Sequence, residues 1–380
     1  MRPEEDATAY IARYAALTEF PAGLDPYVQR IDLGGNQLTQ MPATLGHLAH
    51  LDVLQLDENQ LTCLPEALGE LSGLKELSLD ANRLTGLPAS LCQLTRLTTL
   101  RLYNNRLQAL PAEIGQLTGL VDLSVGGNQL MALPESFWRL RALQALNLAE
   151  NRFSSLSEDI GNLRDLRMLD LAHNQLSALP ASLSRLSKLA FLYLSNNRLG
   201  ALPAELFAEM NALVYFNITD NHLQALPESL GRLVHLKELR VYRNHLETLP
   251  ASLGKLRNLR ELHAMDNHLE TLPASLGKLR NLRALHLCNN RLQALPDSLG
   301  DLAQLTTLAV RNNRLRTLPD SLGGLTRLVS VDLRANALRT LPQNLGTLPN
   351  LERLDVRWNT LSSRPAWLHR LEKRGCLVYL

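Results

Sequence analysis

Leucines recur along this chain at a fixed spacing, with short alternations of apolar and polar residues between them. In Leu54–Gln55–Leu56 the period of two predicts a short, half-buried β-strand. The pattern LPxxLGxL that follows such a stretch is too short and too rich in proline and glycine for a long helix, so it predicts a 3₁₀ or single helical turn. The chain is therefore predicted to alternate short strands with tight helical turns.

An asparagine follows each predicted strand. The step between these asparagines is 23 residues, except for a step of 24 between Asn197 and Asn221. The full series is Asn36, Asn59, Asn82, Asn105, Asn128, Asn151, Asn174, Asn197, Asn221, Asn244, Asn267, Asn290, Asn313, Asn336 and Asn359. An amide side chain both donates and accepts hydrogen bonds, so we expect it to satisfy backbone groups where the chain leaves each strand. No single unit can bury its leucines alone, so the units must stack to form a core.

The unit LxxLxLxxNxLxxLPxxLGxL resembles the leucine-rich repeat, and the resemblance covers nearly the whole chain. It is similar to the 23-residue class found in Ras-group-related intracellular scaffolds, plant relatives and bacterial proteins that include host-targeted effectors. The resemblance implies an α/β solenoid: a curved horseshoe with a concave parallel β-sheet and short 3₁₀ or α turns on the convex side. It also implies a protein that binds other proteins.

Stacked repeats need caps at both ends, and this divides the chain into three predicted parts. Residues 1–27 are predicted to form an N-terminal helical cap, with an amphipathic helix over 4–18. Residues 28–361 hold about fifteen repeats, among which residues 244–260 and 267–283 are identical. Residues 362–380 are predicted to form a C-terminal cap with a helix over 365–375 and a final short strand, in which Leu377 and Tyr379 take the place of core leucines.

Composition and charge narrow the possible functions. Lys and Arg total 39 against 37 Asp and Glu, without the basic excess expected of a nucleic-acid-binding protein. No apolar run is long enough to span a membrane, and the acidic first residues do not resemble a signal peptide. The four cysteines lie far apart, which favours a reducing compartment and a cytoplasmic location. The Leu-, Ala- and Arg-rich composition suggests a bacterial genome. The alternative location is therefore a host cell, into which a bacterial effector would be secreted by a non-classical route.

The strand positions two, four and six residues before each asparagine are expected to face solvent on the concave side. An aromatic surface is predicted in the middle of that face, and exposed aromatic side chains on a rigid sheet are typical of protein-binding hot spots. Arginines beside it, and a tryptophan just before the last asparagine, extend the prediction. The predicted partner-binding residues are Tyr103, Met168, Phe191, Tyr193, Tyr215, Arg240, Tyr242, Arg243, Met265 and Trp358. These side chains can equally pack on one another and merely cover the sheet.

A metal- or thiol-dependent site is the alternative from a different functional class. His263, His286 and Cys288 fall on adjacent concave strands with Glu261 nearby, and all are zinc-ligand types. Ligands on a flat sheet diverge, however, and the sequence shows no nucleophile or phosphate-loop motif. We therefore expect no enzyme activity, no metal and no cofactor. The predicted function is a non-catalytic scaffold that binds another protein on its concave face, as a monomer or a homodimer, with a bacterial effector that acts on host signalling as the alternative.

Overall fold

The computed structural model describes residues 8–380. The chain forms two compact units, the first ending at Leu176 and the second spanning Ser177–Leu380. No helix in the described part of the chain has the length and hydropathy needed to cross a bilayer.

The first unit is a parallel β-sheet with one strand for each repeat, in which every strand pairs with the next along the chain. The strands are β1 (Ala9–Ile11), β2 (Arg30–Asp32), β3 (Val53–Gln55), β4 (Glu76–Ser78), β5 (Thr99–Arg101), β6 (Asp122–Ser124), β7 (Ala145–Asn147) and β8 (Met168–Asp170). Between them lie 3₁₀ turns at Leu45–His47, Glu66–Glu70, Ala89–Gln93, Ile114–Gln116, Glu135–Arg139 and Glu158–Asn162.

The second unit repeats this architecture. Its strands are β9 (Phe191–Tyr193), β10 (Tyr215–Asn217), β11 (Glu238–Arg240), β12 (Glu261–His263), β13 (Ala284–His286), β14 (Thr307–Ala309), β15 (Ser330–Asp332), β16 (Arg353–Asp355) and β17 (Leu377–Tyr379). Its helical elements are 3₁₀ turns at Ala181–Arg185, Glu228–Arg232, Ala251–Lys255, Ala274–Lys278, Asp297–Asp301, Asp320–Gly324 and Gln343–Thr347, and one α-helix, α1 (Leu368–Lys373). The predicted leucine-rich solenoid with a parallel sheet and short 3₁₀ turns is confirmed.

Within each unit, the recurring asparagines join each repeat to the one before it. Asn267 accepts a hydrogen bond from the backbone N–H of Leu246 at 3.0 Å and donates to the carbonyl of Val241 at 3.0 Å, both in the preceding repeat. Its amide also donates to Ala264 and Met265 in its own turn. Because a buried backbone group without a partner is costly, this shared amide stabilises both repeats. We call the series the asparagine ladder.

The residue before each ladder asparagine adopts a left-handed backbone conformation, which the repeat pattern does not predict. All fifteen of these residues have a positive φ, from 50° at Arg243 and Ala335 to 66° at Gly35. Even Trp358 has a φ of 60°. L-amino acids other than Asn and Asp rarely adopt this conformation, so the turn geometry set by the ladder outweighs local preference.

The predicted N-terminal helix over 4–18 is wrong for residues 8–18, and residues 4–7 lie outside the described residues. Residues 9–11 form β1, which pairs with β2. The backbone N–H groups of Ala15 and Leu17 then donate to the side chain of Asn36. A strand at this place pairs with the free backbone N–H and C=O groups of β2, and the residues after it bind the first amide of the ladder. A helix would do neither, so this segment acts as an incomplete repeat.

At the other end, the segment 362–380 holds α1 and β17, but the predicted phase of the strand is wrong. Val378, and not Leu377 or Tyr379, pairs with the buried Leu354. Leu377 and Tyr379 therefore lie on the solvent side of the sheet, where both are exposed. The cause is the register of β17 against β16, because a shift of one residue in strand pairing moves every side chain of a strand to the opposite face of the sheet.

Candidate functional site

An aromatic cluster lies on the open sheet face of the second unit, by which we mean the side carrying the positions two, four and six residues before each ladder asparagine. The cluster comprises Phe191, Tyr193, Tyr215 and Tyr242, which we call the tyrosine cluster. The rings of Tyr193 and Tyr215 pack with their centroids 5.1 Å apart. Phe191, beside Tyr215 in register, is 41% exposed. Strand pairing thus brings together aromatic residues that are 24 positions apart in sequence.

Two arginines flank the tyrosine cluster, as the sequence predicts. The guanidinium of Arg240 lies 5.8 Å from the ring centroid of Tyr215, and that of Arg243 lies 5.9 Å from the ring of Tyr242. Burial opposes the charge of Arg240, but its hydrogen bond to Glu238 raises the pKa of the guanidinium overall. Burial also raises the pKa of Tyr215. The cluster is therefore a group of aromatic rings edged by two arginines, each of which is ion-paired, Arg240 with Glu238 and Arg243 with Asp220.

The remaining predicted contact residues lie elsewhere. Met265 is half-buried two residues after β12. Trp358 is 68% exposed and lies beside Arg357, whose guanidinium also covers Tyr379 at the end of the sheet. This forms a second aromatic group, in which Tyr379 was missed because the phase of β17 was predicted wrongly.

Two predicted contact residues belong to the first unit. The hydroxyl of Tyr103 donates to Glu150 at 2.8 Å, and this hydrogen bond is the main reason that its pKa is raised. Met168 is half-buried on β8. Both lie on the open sheet face of that unit.

The histidines of the second unit do not assemble with the cysteine as the metal alternative requires. His263 and His286 stack face to face at 4.8 Å, while His263 Nε2 lies 3.0 Å from the Glu261 carboxylate. Burial raises the pKa of the Cys288 thiol, which disfavours the metal-binding thiolate. Burial lowers the pKa of His286, which by itself does not disfavour a metal because neutral imidazole is the ligating form.

A different trio comes closest to a metal site. Within residues 8–380, the group of three whose ligand atoms lie within 4.8 Å of one another is Glu238, Glu261 and His263. Glu238 was not among the predicted ligands, because it becomes a neighbour of Glu261 only through strand pairing. Arg240 already donates to Glu238, so a bound cation would have to compete with a guanidinium.

Ion pairs occupy many of the charges at both ends of the molecule. In the first unit, Arg13 lies 3.4 Å from Asp32 and 3.7 Å from Glu58. In the second unit, the fully buried Asp355 accepts from Arg357 at 2.7 Å and also pairs with Arg334. These charges hold neighbouring repeats together. Arg13 was missed because it precedes the first complete repeat.

With this geometry established, comparison with known proteins identifies the family. A family model described as a leucine-rich repeat region matches residues 31–130, 135–214 and 271–377. A second model, described as a leucine rich repeat, matches residues 192–246. The chain belongs to the leucine-rich repeat family. Among curated proteins, none matches the sequence.

Solved leucine-rich repeat structures extend this result. A leucine-rich repeat protein from Leptospira interrogans is 30% identical with a TM-score of 0.82, and the match covers 97% of this chain and 95% of that one. The Arabidopsis receptor kinase HAESA, in complex with the peptide hormone IDA and the co-receptor SERK1, is 27% identical with a TM-score of 0.67 over 88% of this chain and 63% of that one. The plant peptide hormone receptor RGFR1, in complex with RGF2, is 28% identical with a TM-score of 0.62 over 90% of this chain and 65% of that one. The leucine-rich repeat fold is typically a non-enzymatic scaffold for protein interactions.

Proposed function

We propose that this leucine-rich repeat protein is a non-catalytic scaffold that binds another protein on the open sheet face of its second unit, the face predicted to be concave. The observation that carries the proposal is the tyrosine cluster, with Arg240 and Arg243 stacked at its edges. Aromatic and arginine side chains dominate the energetics of protein interfaces. Side chains held on a sheet lose little conformational entropy on binding, which favours affinity.

The relatives support the class of function and not a particular ligand. HAESA is seen in complex with the peptide hormone IDA and the co-receptor SERK1, and the peptide hormone receptor RGFR1 is seen in complex with RGF2. Burial raises the pKa of Cys288, which argues against a thiol nucleophile at that residue, since such a nucleophile requires a lowered pKa.

The test is affinity capture from lysate of the source cell with the wild-type protein and a Tyr193→Ala/Tyr215→Ala variant. Both side chains are half-buried at the centre of the cluster, and loss of two such anchors is expected to weaken binding about 100-fold or more. The matched control is Tyr27→Ala/Met131→Ala, which removes two large exposed side chains that lie off the open sheet face. Circular dichroism checks that all three proteins are equally folded.

Partners retained by the wild type and the control, but lost by the tyrosine variant, would identify both the site and the partner. Equal retention by all three proteins would mean that the aromatic rings merely cover the sheet. In that case the proposal is wrong, and the other surfaces of the protein become the candidates.

Location and assembly belong to the same proposal. All four cysteines are unpaired, which supports a cytoplasmic location. A secretion assay tests the alternative of an effector delivered into a host cell, and sedimentation analysis tests whether the same face forms a homodimer. Elemental analysis of purified protein tests the metal alternative, for which the trio Glu238, Glu261 and His263 now replaces the predicted His286 and Cys288.

A further inference from the structure

The two identical sequence blocks place positive charges just before the start of consecutive strands in the second unit. Each block contains the segment KLRNLR, at 255–260 and at 278–283. The leucines of these segments are buried, so the polar residues between them face solvent. The last arginine of each segment, Arg260 or Arg283, directly precedes a strand, and Lys237 holds the same position one repeat earlier.

Strand pairing lines these three cations up in a column. The backbone N–H of Arg260 donates to the carbonyl of Lys237 at 2.7 Å, and that of Arg283 donates to the carbonyl of Arg260 at 2.8 Å. The residues therefore lie one strand spacing apart, about 4.8 Å. A second column runs parallel to the first and lies two residues earlier in each repeat. It consists of Asn258, Asn281 and Gln304.

The two columns line a cavity of about 140 Å³, which we call the basic cavity. Its lining residues are Lys237, Asn258, Arg260, Asn281, Arg283 and Gln304. Three cations and three amides supply hydrogen-bond donors, and the lining contains no carboxylate and no apolar side chain. The amides of Asn258 and Asn281 each donate one hydrogen bond to a backbone carbonyl of the preceding repeat, both at 2.8 Å, which holds the lining in place.

The charges of the basic cavity are not neutralised within the described chain. None of Lys237, Arg260 and Arg283 forms an ion pair with a carboxylate of residues 8–380, because the nearby Glu238 and Glu261 lie on the open sheet face and contact Arg240 and His263. The first unit provides a contrast at the same column position. There, Lys75 pairs with Asp52 of the preceding repeat at 2.8 Å.

Like charges placed opposite one another on neighbouring strands repel. All three side chains are exposed, so water and mobile ions screen part of this repulsion, and a bound anion would remove the rest. We propose that the basic cavity binds a single phosphate group, either as inorganic phosphate or as a phosphate monoester on a serine-sized carrier. A tetrahedral dianion suits a small cavity lined by guanidinium, ammonium and amide donors. A column of only three cations, with no aromatic residue in the lining, does not provide the extended track that nucleic acids require. This site is separate from the tyrosine cluster and does not rest on the proposed function.

The test is isothermal titration of the full chain with inorganic phosphate at low, constant ionic strength, with chloride as the reference anion. We expect a dissociation constant below about 1 mM for the wild type. An Arg260→Gln/Arg283→Gln variant is expected to bind at least tenfold more weakly. The matched control is Lys255→Gln/Lys278→Gln, which removes two exposed positive charges from the same two blocks but outside the cavity lining.

The outcomes separate a specific site from general attraction of anions. Equal weakening in the arginine and lysine variants, or wild-type binding no tighter than that of chloride, would overturn the proposal. Titration with O-phosphoserine distinguishes the two sources. Binding at least as tight as that of phosphate indicates a side-chain monoester, and binding tenfold weaker indicates the free anion. The Tyr193→Ala/Tyr215→Ala variant should retain phosphate binding, so this test and that of the proposed function can fail independently.

Discussion

At the scale of the residue, Asp80 shows how stacking changes the chemistry of a side chain. Its carboxylate accepts a hydrogen bond from the backbone N–H of Tyr103 at 2.6 Å on the open sheet face of the first unit. Burial, together with the negative charge of Asp57, outweighs this hydrogen bond and raises the pKa of Asp80 to about 6. The folded state therefore holds this proton more strongly than the unfolded state does.

The sign of the pH dependence follows. Between about pH 4 and pH 6 the folded protein binds more protons at Asp80 than the unfolded chain, so the free energy of unfolding falls as pH rises through this window. We expect Asp80→Asn, which keeps a hydrogen-bond acceptor, to raise the free energy of unfolding at pH 7 by about 1 kcal/mol, allowing for solvent screening of this half-buried group. The two proteins should be equally stable near pH 4.

Urea unfolding at pH 4 and pH 7 measures this difference. Asp301→Asn, at an exposed turn, controls for the loss of one negative charge. A lower stability of Asp80→Asn at pH 7 would show instead that the carboxylate is needed for its contact with Tyr103.

At the scale of the element, the asparagine ladder decides how one strand and turn is joined to the next. Asn267 is 5% exposed, and its amide serves four backbone groups in two repeats. Asn359 makes the equivalent contacts near the end of the sheet, but there they are only partly buried. Water can therefore replace the amide of Asn359 and cannot easily replace that of Asn267.

We expect Asn267→Ala to lower the free energy of unfolding by about 3 kcal/mol, because it leaves the N–H of Leu246 and the carbonyl of Val241 buried without this partner. Asn359→Ala is the matched control, and its expected cost is about 1 kcal/mol. Urea unfolding followed by both circular dichroism and fluorescence measures the two losses. Equal losses at the two positions would contradict the explanation from burial.

At the scale of the whole molecule, repetition makes length adjustable. Within each unit, each repeat contacts its neighbours through the same strand register and the same ladder, so the stability of a unit is close to a sum of repeat and interface terms. The identical blocks at 244–260 and 267–283 allow a direct test, because removing one period leaves every remaining residue in an equivalent position.

Deletion of residues 244–266, which joins Arg243 to Asn267, should leave a folded protein. The m-value, which is the slope of the unfolding free energy against urea concentration, should fall by roughly one fifteenth, since it scales with the surface buried on folding. Deletion of residues 244–255 is the control, because half a period moves the following leucines out of phase and should abolish cooperative unfolding. Loss of folding in the full-period deletion would show that the repeats are not interchangeable.

Much of the candidate site follows from the sequence once the repeat is recognised. Tyr193, Tyr215 and Arg240 lie together as predicted because their positions relative to the asparagines determine the face, and the period determines their neighbours. Glu238 and the basic cavity were missed, although the same 23-residue period gives their neighbours and the side of the sheet on which they lie. The signal was a run of three cations at one column position, flanked by Val214 and Thr306 and not by acids in the adjoining repeats. It is visible only when residues 23 apart are compared.

The sequence by itself determined the alternation of strand and turn, the phase of the complete repeats and the joining role of the asparagines. These depend on the local period of leucine burial and on an amide that satisfies backbone groups nearby. Only the tertiary structure decided what happens where the period breaks: the strand at Ala9–Ile11, the register of Val378 and the left-handed residue before every ladder asparagine. It also decided which charges are neutralised, as at Lys75, and which are left open, as at Arg260. The physical reason is that sheet edges, turn geometry and ion pairs depend on the neighbouring repeat, whereas leucine burial is encoded within each one.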